Sequence, residues 1–281
     1  MKILVLGKNG MLGHVVYNYF KENGYEVFGT DINNCEIIYD AYKDQELIEE
    51  ILKNVKPDVV INCIGILNKM AEENKHLAVK LNSLLPHYLD SLSEKFNFKF
   101  IHVSTDCVFE GTKGKYDENY LADATSFYGR SKALGEINNN RSLTLRTSIV
   151  GPDSNPKGIG LFQWFMQSEN EVSGYKKVIW TGVTTIELAK CMEKAIKNNV
   201  TGLNHVVNNL EIPKYDLLDL FKKVMNKDII INEEVNTISE KTLVRTDKSY
   251  DFEVLTYEQM VIEMKEWIVN HKDLYPNIEV K

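Results

Sequence analysis

Cysteine is scarce and scattered. The four residues Cys35, Cys63, Cys107 and Cys191 never reach CxxC spacing, which removes both a disulfide framework and a cysteine-built zinc motif. Reduced thiols in the cytoplasm are the simplest reading, and that is the expected location. Histidine offers no metal centre either, since the six residues show neither HxH nor HxxxH spacing. An excess of basic charge is also missing. With a formal net charge of −7, the chain does not look like a nucleic-acid binder. A phosphate-bearing small ligand stays compatible, because backbone amides can hold it. No apolar run approaches the roughly 18 residues of a membrane span, and the apolar start Ile3–Leu6 is too short for a signal peptide.

What is present is an ordinary globular composition. Hydrophobic residues make up 43% and charged residues 26% of 281, which excludes disorder and suffices for one large domain or a domain with a smaller lobe. The first half alternates short apolar runs with helical periodicity. Strands are expected at Ile3–Leu6, Tyr25–Thr30, Val59–Ile61, Phe98–Ser104 and Leu143–Thr147. Helices are expected at about Met11–Glu22, Leu47–Val55, Glu72–Lys95 with a bend at Pro86, and Ser126–Asn138. Alternation at this pitch gives βαβ units, hence an α/β fold of Rossmann type, a doubly wound parallel sheet with helices on both faces. After Gly151 the pattern loosens. Helices are expected near Leu161–Gln167, Thr184–Lys197, Tyr215–Met225 and Tyr257–Asn270, with short strands between.

The segment Gly7-Lys8-Asn9-Gly10-Met11-Leu12-Gly13 falls between the first strand and the first helix. Glycines there permit a tight turn, let backbone approach a pyrophosphate, and let helix pack on strand. The helix N-terminus adds free N–H groups and a partial positive charge. Glycines alone also fit a plain turn. Asp31 decides the weighting: it lies eighteen residues after Gly13 at the end of the second strand, where a carboxylate can accept the ribose hydroxyls of NAD. Residues 1–150 are therefore the expected NAD(P)-binding part, with segments near 178–208 returning to it. Residues 151–281 are then mainly a smaller α/β substrate-binding lobe.

Tyr128-Gly129-Arg130-Ser131-Lys132 places a tyrosine and a lysine four apart, on one face of a helix. A tyrosine titrates near pH ~10 in water, and a nearby ammonium lowers that value toward a useful range. Thr105, at a strand's carboxyl end, can hold a carbonyl oxygen while hydride reaches the carbon. Taken alone, the same spacing equally fits an exposed tyrosine and lysine on an amphipathic helix. His102, inside the fourth strand, reads as a core histidine.

Together these residues resemble the extended short-chain dehydrogenase/reductase family. The match runs through Gly7-x-x-Gly10-x-x-Gly13, Asn62-Cys63-Ile64-Gly65, Asn82, Ser104-Thr105 and the Tyr128/Lys132 pair. Within it, Val103 to Gly111, Phe127 to Glu136 and Leu145-Arg146-Thr147-Ser148 look like the dTDP-4-dehydrorhamnose reductase group. The resemblance implies reduction of the 4-keto group of a nucleotide-linked 6-deoxysugar, with Thr105, Tyr128 and Lys132 catalytic. It implies cofactor contacts from Gly7 to Gly13, Asp31, Asp40, Cys63, Ile64, Gly65, Asn82, Tyr128 and Lys132. Substrate contacts are implied for Ser104, Thr105, Asp106, Cys107, Val108 and Tyr128. A homodimer built on first-half helices is compatible with it, and neither nucleic acid nor membrane is an expected partner.

Departures from the group matter as well. Gly182-Val183-Thr184-Thr185 stands where the rhamnose enzymes carry Gly-x-Pro-Thr, and Ile64 to Asn68 replaces an Ala-rich stretch. Both changes are expected near the sugar, so a UDP-linked 4-keto-6-deoxy-N-acetylhexosamine competes with dTDP-4-dehydrorhamnose. The 4,6-dehydratases need a carboxylate pair after the threonine; here the pair is Asp106-Cys107, which argues against dehydration. Cys107 resembles the epimerising cysteine of GDP-fucose synthases, but no histidine lies between His102 and His205 to partner it. A small core residue is the simpler reading of Cys107. Epimerases share the triad, and methionine adenosyltransferase regulatory subunits share the fold without needing it, so both remain alternatives. For the cofactor, Asp31 favours NADH and Lys8 favours NADPH; NADH is expected to be moderately preferred.

Overall fold

Strand and helix alternate from the N-terminus in a computed structural model that describes residues 1–248 and 252–280. The first run is β1 (Lys2–Leu6), α1 (Gly13–Glu22), β2 (Glu26–Asp31), β3 (Ile37–Ile38), α2 (Leu47–Val55) and β4 (Val59–Asn62). Three helical pieces follow, α3 (Asn68–Glu73), α4 (Lys75–Ala78) and α5 (Leu85–Phe96), the last two joined by a π-helical turn over Val79–Leu84. Next come β5 (Lys99–Thr105), α6 (Phe127–Ala133), β6 (Leu143–Thr147), β7 (Ile149–Val150) and α7 (Leu161–Gln167). The remainder is β8 (Glu171–Trp180), β9 (Val183–Thr184), α8 (Thr185–Lys197), β10 (Gly202–His205), β11 (Ile212–Pro213), α9 (Lys214–Met225), β12 (Ile230–Glu240) and α10 (Tyr257–Asn270). Of the lobe expected over 151–281, residues 249–251 and 281 lie outside the described residues.

Seven strands form one sheet in the order β10-β6-β5-β4-β1-β2-β3, every neighbouring pair parallel. This is the doubly wound Rossmann-like fold that the alternation predicts. Parallel strands buried on both faces need apolar residues in both registers, which is why β1 reads as a continuous run. Ile3 and Val5 face Val15, Val16 and Phe20 of α1, with α8 and α10 beyond. Leu4 and Leu6 face Ile48 and Leu52 of α2 and Leu85 and Leu89 of α5. The first of these apolar clusters continues without a break to Phe162 and Phe165 of α7 and Phe221 of α9.

Chain order reverses between β1 and β4, so a crevice opens at the carboxyl edge there. The register brings Leu6 level with Thr30 and Asn62, and Thr105 level with Thr147. Gly7, Asp31, Cys63 and Asp106 therefore leave the sheet at one edge. Among the described residues no helix is long and apolar enough to cross a membrane, and no group of His, Cys, Asp and Glu could hold a metal ion.

Three local expectations need correcting. The helix expected over Glu72–Lys95 is interrupted at Asn74 and widened to a π-turn over Val79–Leu84. Pro86 sits in the first turn of α5, where the π-turn ahead of it absorbs the missing N–H. The helix expected to reach Asn138 ends at Ala133, and Gly135 follows it in close contact, since a Cβ there would lie 2.0 Å from the Asn82 carbonyl. The short strands expected in the second half include two long ones, β8 and β12, paired in parallel in a separate sheet of order β11-β8-β12.

Candidate active site

The glycine segment folds as a tight turn at the end of β1. The amides of Gly7 and Lys8 both donate to the Thr30 carbonyl at 2.9 Å, and Gly10 N–H donates to the Gly7 carbonyl at 3.1 Å. Its three glycines are required for three different reasons. Gly7 adopts φ +76°, a left-handed conformation that side chains disfavour. At Gly13 a Cβ would stand 2.0 Å from the Gly7 carbonyl oxygen, so α1 could not approach β1. At Gly10 a Cβ would meet only the Gly7 carbonyl oxygen, at 3.4 Å. The protein itself does not need a glycine there, whereas a pyrophosphate seated on the α1 N-terminus does. The residues therefore fit a dinucleotide.

The far end of this cradle is acidic. Asp31 accepts from the Asn9 amide at 3.0 Å and the Ile32 amide at 2.8 Å. Lys8 is not a free cation. Its ammonium lies 2.7 Å from Glu36 Oε2 and 4.2 Å from the centre of the Tyr17 ring. Asp40 accepts from the amides of Tyr42 and Lys43, at 3.0 and 3.1 Å, and so caps a turn. Leu12 is buried in the core and Met11 approaches Gly160. Across the crevice, a Cβ on Gly7 would lie 3.1 Å from the Ile64 side chain, so the turn rests against Cys63-Ile64. Asn82, on the π-turn, holds that loop through both sides of its amide. It accepts from Ile66 N–H and donates to the Ile66 carbonyl and to Ser131 Oγ, each at 3.0 Å.

Thr105, Tyr128 and Lys132 come together at the end of β5. Thr105 Oγ1 donates to Asp106 Oδ1 and accepts from Cys107 N–H, both at 3.1 Å. Tyr128, in the first turn of α6, is buried, and burial holds its phenol well above the ordinary value. The nearby Cys107 adds to that rise, while the Thr105 hydroxyl works against it. Lys132 donates to the Val103 carbonyl at 2.7 Å and stands 3.4 Å from His102 Nε2. The lysine is thus engaged by the main chain of β5, and burial keeps the Tyr128 phenol protonated through the neutral range. Asn62 Nδ2 lies 3.2 Å from the other nitrogen of His102, and its Oδ1 accepts from Ile64 N–H at 3.1 Å. His102 therefore links the cofactor loop to the lysine.

Burial lowers the Lys132 pKa from 10.5 to about 8. Below about 8 the fold must bury a charge; between about 8 and 10.5 the unfolded chain binds more protons, so this group makes stability rise with pH across that window. Lys132→Met should abolish turnover yet stabilise the protein by about 1–2 kcal/mol near pH ~7, with the gain shrinking toward pH ~10. Melting curves of both proteins at the two pH values check this.

The other residues expected at the substrate are placed unevenly. Asp106 and Cys107 form the turn after Thr105, and burial pushes the Cys107 thiol up to about 12. Ser104 points elsewhere, donating at 2.6 Å to Glu136, which is paired with Arg146 at 2.8 and 2.6 Å. Val108 is fully buried in a cluster with Phe109, Tyr116, Val207 and Leu243, so its side chain faces away from any ligand. Gly182 to Thr185 is internal too: Val183-Thr184 pairs with β7, and Thr184 caps α8.

Several contributors carry no sequence signal of their own. Glu72 accepts from the amides of Phe127 and Tyr128, at 2.7 and 3.2 Å, and so caps the helix that carries Tyr128. Gly129 lets that helix reach the Thr105 turn, since a Cβ would stand 2.1 Å from the Cys107 carbonyl. Lys214 and Lys241 are near enough to Asp106 to counter part of the rise that burial imposes on its carboxyl. Lys214, at the start of α9, also lines an open groove with Trp164, Tyr175 and Leu218. Glu72, Lys214 and Lys241 are remote in sequence from the motif they serve, so spacing could not reveal them, and Gly129 lies inside its motif without an assigned role.

The chain is similar to known proteins along most of its length. The family model described as RmlD substrate binding domain matches residues 1–268. The chain is 28% identical over 251 residues to "Probable low-salt glycan biosynthesis reductase Agl14" of Haloferax volcanii, covering 83% of each chain. It is also 28% identical over 159 residues to methionine adenosyltransferase 2 subunit beta of Xenopus laevis, a match covering 54% of this chain and about half, 48%, of that one. Among solved structures, dTDP-4-dehydrorhamnose reductase of Bacillus anthracis, in complex with NADP, superposes with a TM-score of 0.81 at 18% identity, covering 94% of this chain and 98% of that one. That last likeness shows the fold. With its family model spanning nearly the whole length, the chain belongs to the RmlD substrate binding domain family.

Proposed function

We propose that this protein uses reduced nicotinamide, NADH in moderate preference to NADPH, to reduce the 4-keto group of a nucleotide-linked 4-keto-6-deoxysugar. The substrate is dTDP-4-dehydrorhamnose or a UDP-linked 4-keto-6-deoxy-N-acetylhexosamine, and the product feeds surface-polysaccharide synthesis in the cytoplasm. Residues 1–150 with the returning strands carry the cofactor, and most of 151–281 carries the nucleotide sugar. The observation that supports this best is the buried, protonated Tyr128 beside Thr105 at the crevice edge. The bound cofactor supplies a hydride to C4. Tyr128 gives its phenolic proton to the ketone oxygen, and Thr105 fixes that oxygen by a hydrogen bond. Lys132 and Asn82 hold the strand and loop on either side.

Lys214 and Lys241 suit the diphosphate, since both are cations near Asp106 and Lys214 lines the groove. Lys214→Ala should raise KM for the sugar nucleotide about tenfold and leave kcat within a few-fold, the pattern of lost ground-state binding. Steady-state kinetics against a neutral change elsewhere on α9 would read it. Exposed Val79 and Leu84 on the π-turn, with Leu134 just past α6, are the surface on which a homodimer would form, as sedimentation would reveal.

Epimerisation is less well supported. Beside the ketone it would need Cys107 as a thiolate, and burial followed by the Asp106 charge holds that thiol up to about 12. At C4 itself it would use the same triad, and net loss of reduced cofactor across a substrate panel distinguishes reduction from it. A purely regulatory role leaves the buried Thr105, Tyr128 and Lys132 without a task. A panel of dTDP- and UDP-linked 4-keto-6-deoxysugars, followed by loss of reduced-nicotinamide absorbance, tests the reading. Turnover of at least one is expected; cofactor binding with no turnover of any would favour the regulatory role.

A further inference from the structure

The cation in the glycine turn is already engaged, and its partner came from outside every motif. Lys8 runs across β2 at Gly29, where a Cβ would stand 2.3 Å from the Lys8 Cδ. Its ammonium then meets Glu36 Oε2 at 2.7 Å and the face of Tyr17 at 4.2 Å. Glu36 is fixed in turn, because its other oxygen accepts from Gly29 N–H at 2.7 Å. The same 31–36 loop is tied to the glycine turn by Asn9, whose amide donates to Asp31 at 3.0 Å and whose side chain donates to the Asn33 carbonyl at 2.9 Å.

We propose that Glu36 determines cofactor choice by holding Lys8 away from the ribose, so that a 2′-phosphate meets the Asp31 and Glu36 carboxylates with the Lys8 ammonium already engaged. This rests on the dinucleotide reading of the glycine turn. A 2′-phosphate carries close to two negative charges near neutral pH. To recruit Lys8 it must break the Glu36 pair and then sit between Glu36 and Asp31. A 2′-hydroxyl asks for neither, and Asp31 can accept from it. Glu36 is thus a positioning residue for specificity, acting through Lys8. The missing side chain at Gly29 is part of the device, since any larger residue would displace the lysine stem.

The test is a set of binding titrations with NADH and with NADPH on the wild type, Glu36→Gln, Lys8→Met and the double variant. Glutamine keeps the shape of Glu36 and an oxygen for the Gly29 amide, and melting curves confirm that each variant is folded. The wild type should bind NADH more tightly. Glu36→Gln should lower the NADPH-to-NADH ratio of Kd values at least about tenfold, and adding Lys8→Met should cancel that gain. A ratio unmoved by Glu36→Gln overturns the proposal, as does a gain that survives Lys8→Met, since simple removal of charge would then explain it. A wild type preferring NADPH overturns it too. Failure of the wild type to bind either cofactor would instead remove the dinucleotide reading, and this proposal with it.

Discussion

Tyr128→Phe should lower kcat by about 10²–10⁴-fold while NADH binding persists, the usual worth of a positioned acid. The expectation follows from burial and from the helix that carries the residue. Burial keeps the phenol protonated through the neutral range, the state a reduction needs, while also making it a weaker acid, so its placement beside Thr105 carries the expectation. The first turn of α6 is fixed by Ser126, which accepts from Gly129 N–H at 3.1 Å, and by the carboxylate of Glu72. Removing only the hydroxyl leaves this frame intact, so the loss should appear in kcat with little change in melting temperature. A mutant retaining wild-type kcat on its own substrate would assign the proton to another group.

Gly10→Val should abolish dinucleotide binding, weakening it at least about a hundredfold, or roughly 2.7 kcal/mol, in a protein that still folds. Open space beside Gly10 is the reason: a Cβ there meets only the Gly7 carbonyl oxygen, at 3.4 Å, so the added side chain is tolerated by the fold while it obstructs the approach to the α1 N-terminus. Gly13→Ala provides the contrast. Its Cβ would stand 2.0 Å from the Gly7 carbonyl, so that variant should lose about 2–4 kcal/mol of stability before any question of binding arises. Calorimetric titration alongside thermal melting separates the two. Unchanged NADH affinity in folded Gly10→Val protein would mean that the pyrophosphate lies elsewhere.

The doubly wound sheet was legible because most of its strands carry short apolar stretches and are spaced by helices of regular period. Strand β1 is the clearest case, with Ile3 and Val5 on one face and Leu4 and Leu6 on the other. Strand β12 shows the opposite. It is exposed along most of its length, and IINEEVNTISE has neither a buried register nor an apolar run. Its pairing with β8 is a tertiary choice. The π-turn over Val79–Leu84 was hidden for a related reason, since its residues have ordinary helical character and only the long-range bonds of Asn82 reveal the distortion.

At the site, residues joined by short spacing were legible and residues joined through space were not. Tyr128 and Lys132 share a helix face, and the three glycines share one turn. Glu72, Glu36, Lys214 and Lys241 reach their partners across 28 residues or more, as the Lys8–Glu36 contact illustrates. Sequence alone places Lys8 on the side of NADPH against Asp31. Its pairing with Glu36 explains why the acidic side of the pocket should prevail.

Transfer of a label tests the central claim most directly. Protein loaded with NADH deuterated at the transferring position is mixed with the 4-keto-6-deoxysugar nucleotide, in ordinary water and again in deuterated water. The account predicts one cofactor oxidised per sugar reduced, with the cofactor's deuterium at C4 of the product and none taken from solvent at carbon. Solvent deuterium at the carbons flanking the ketone, without net cofactor oxidation, would contradict it and identify an epimerase.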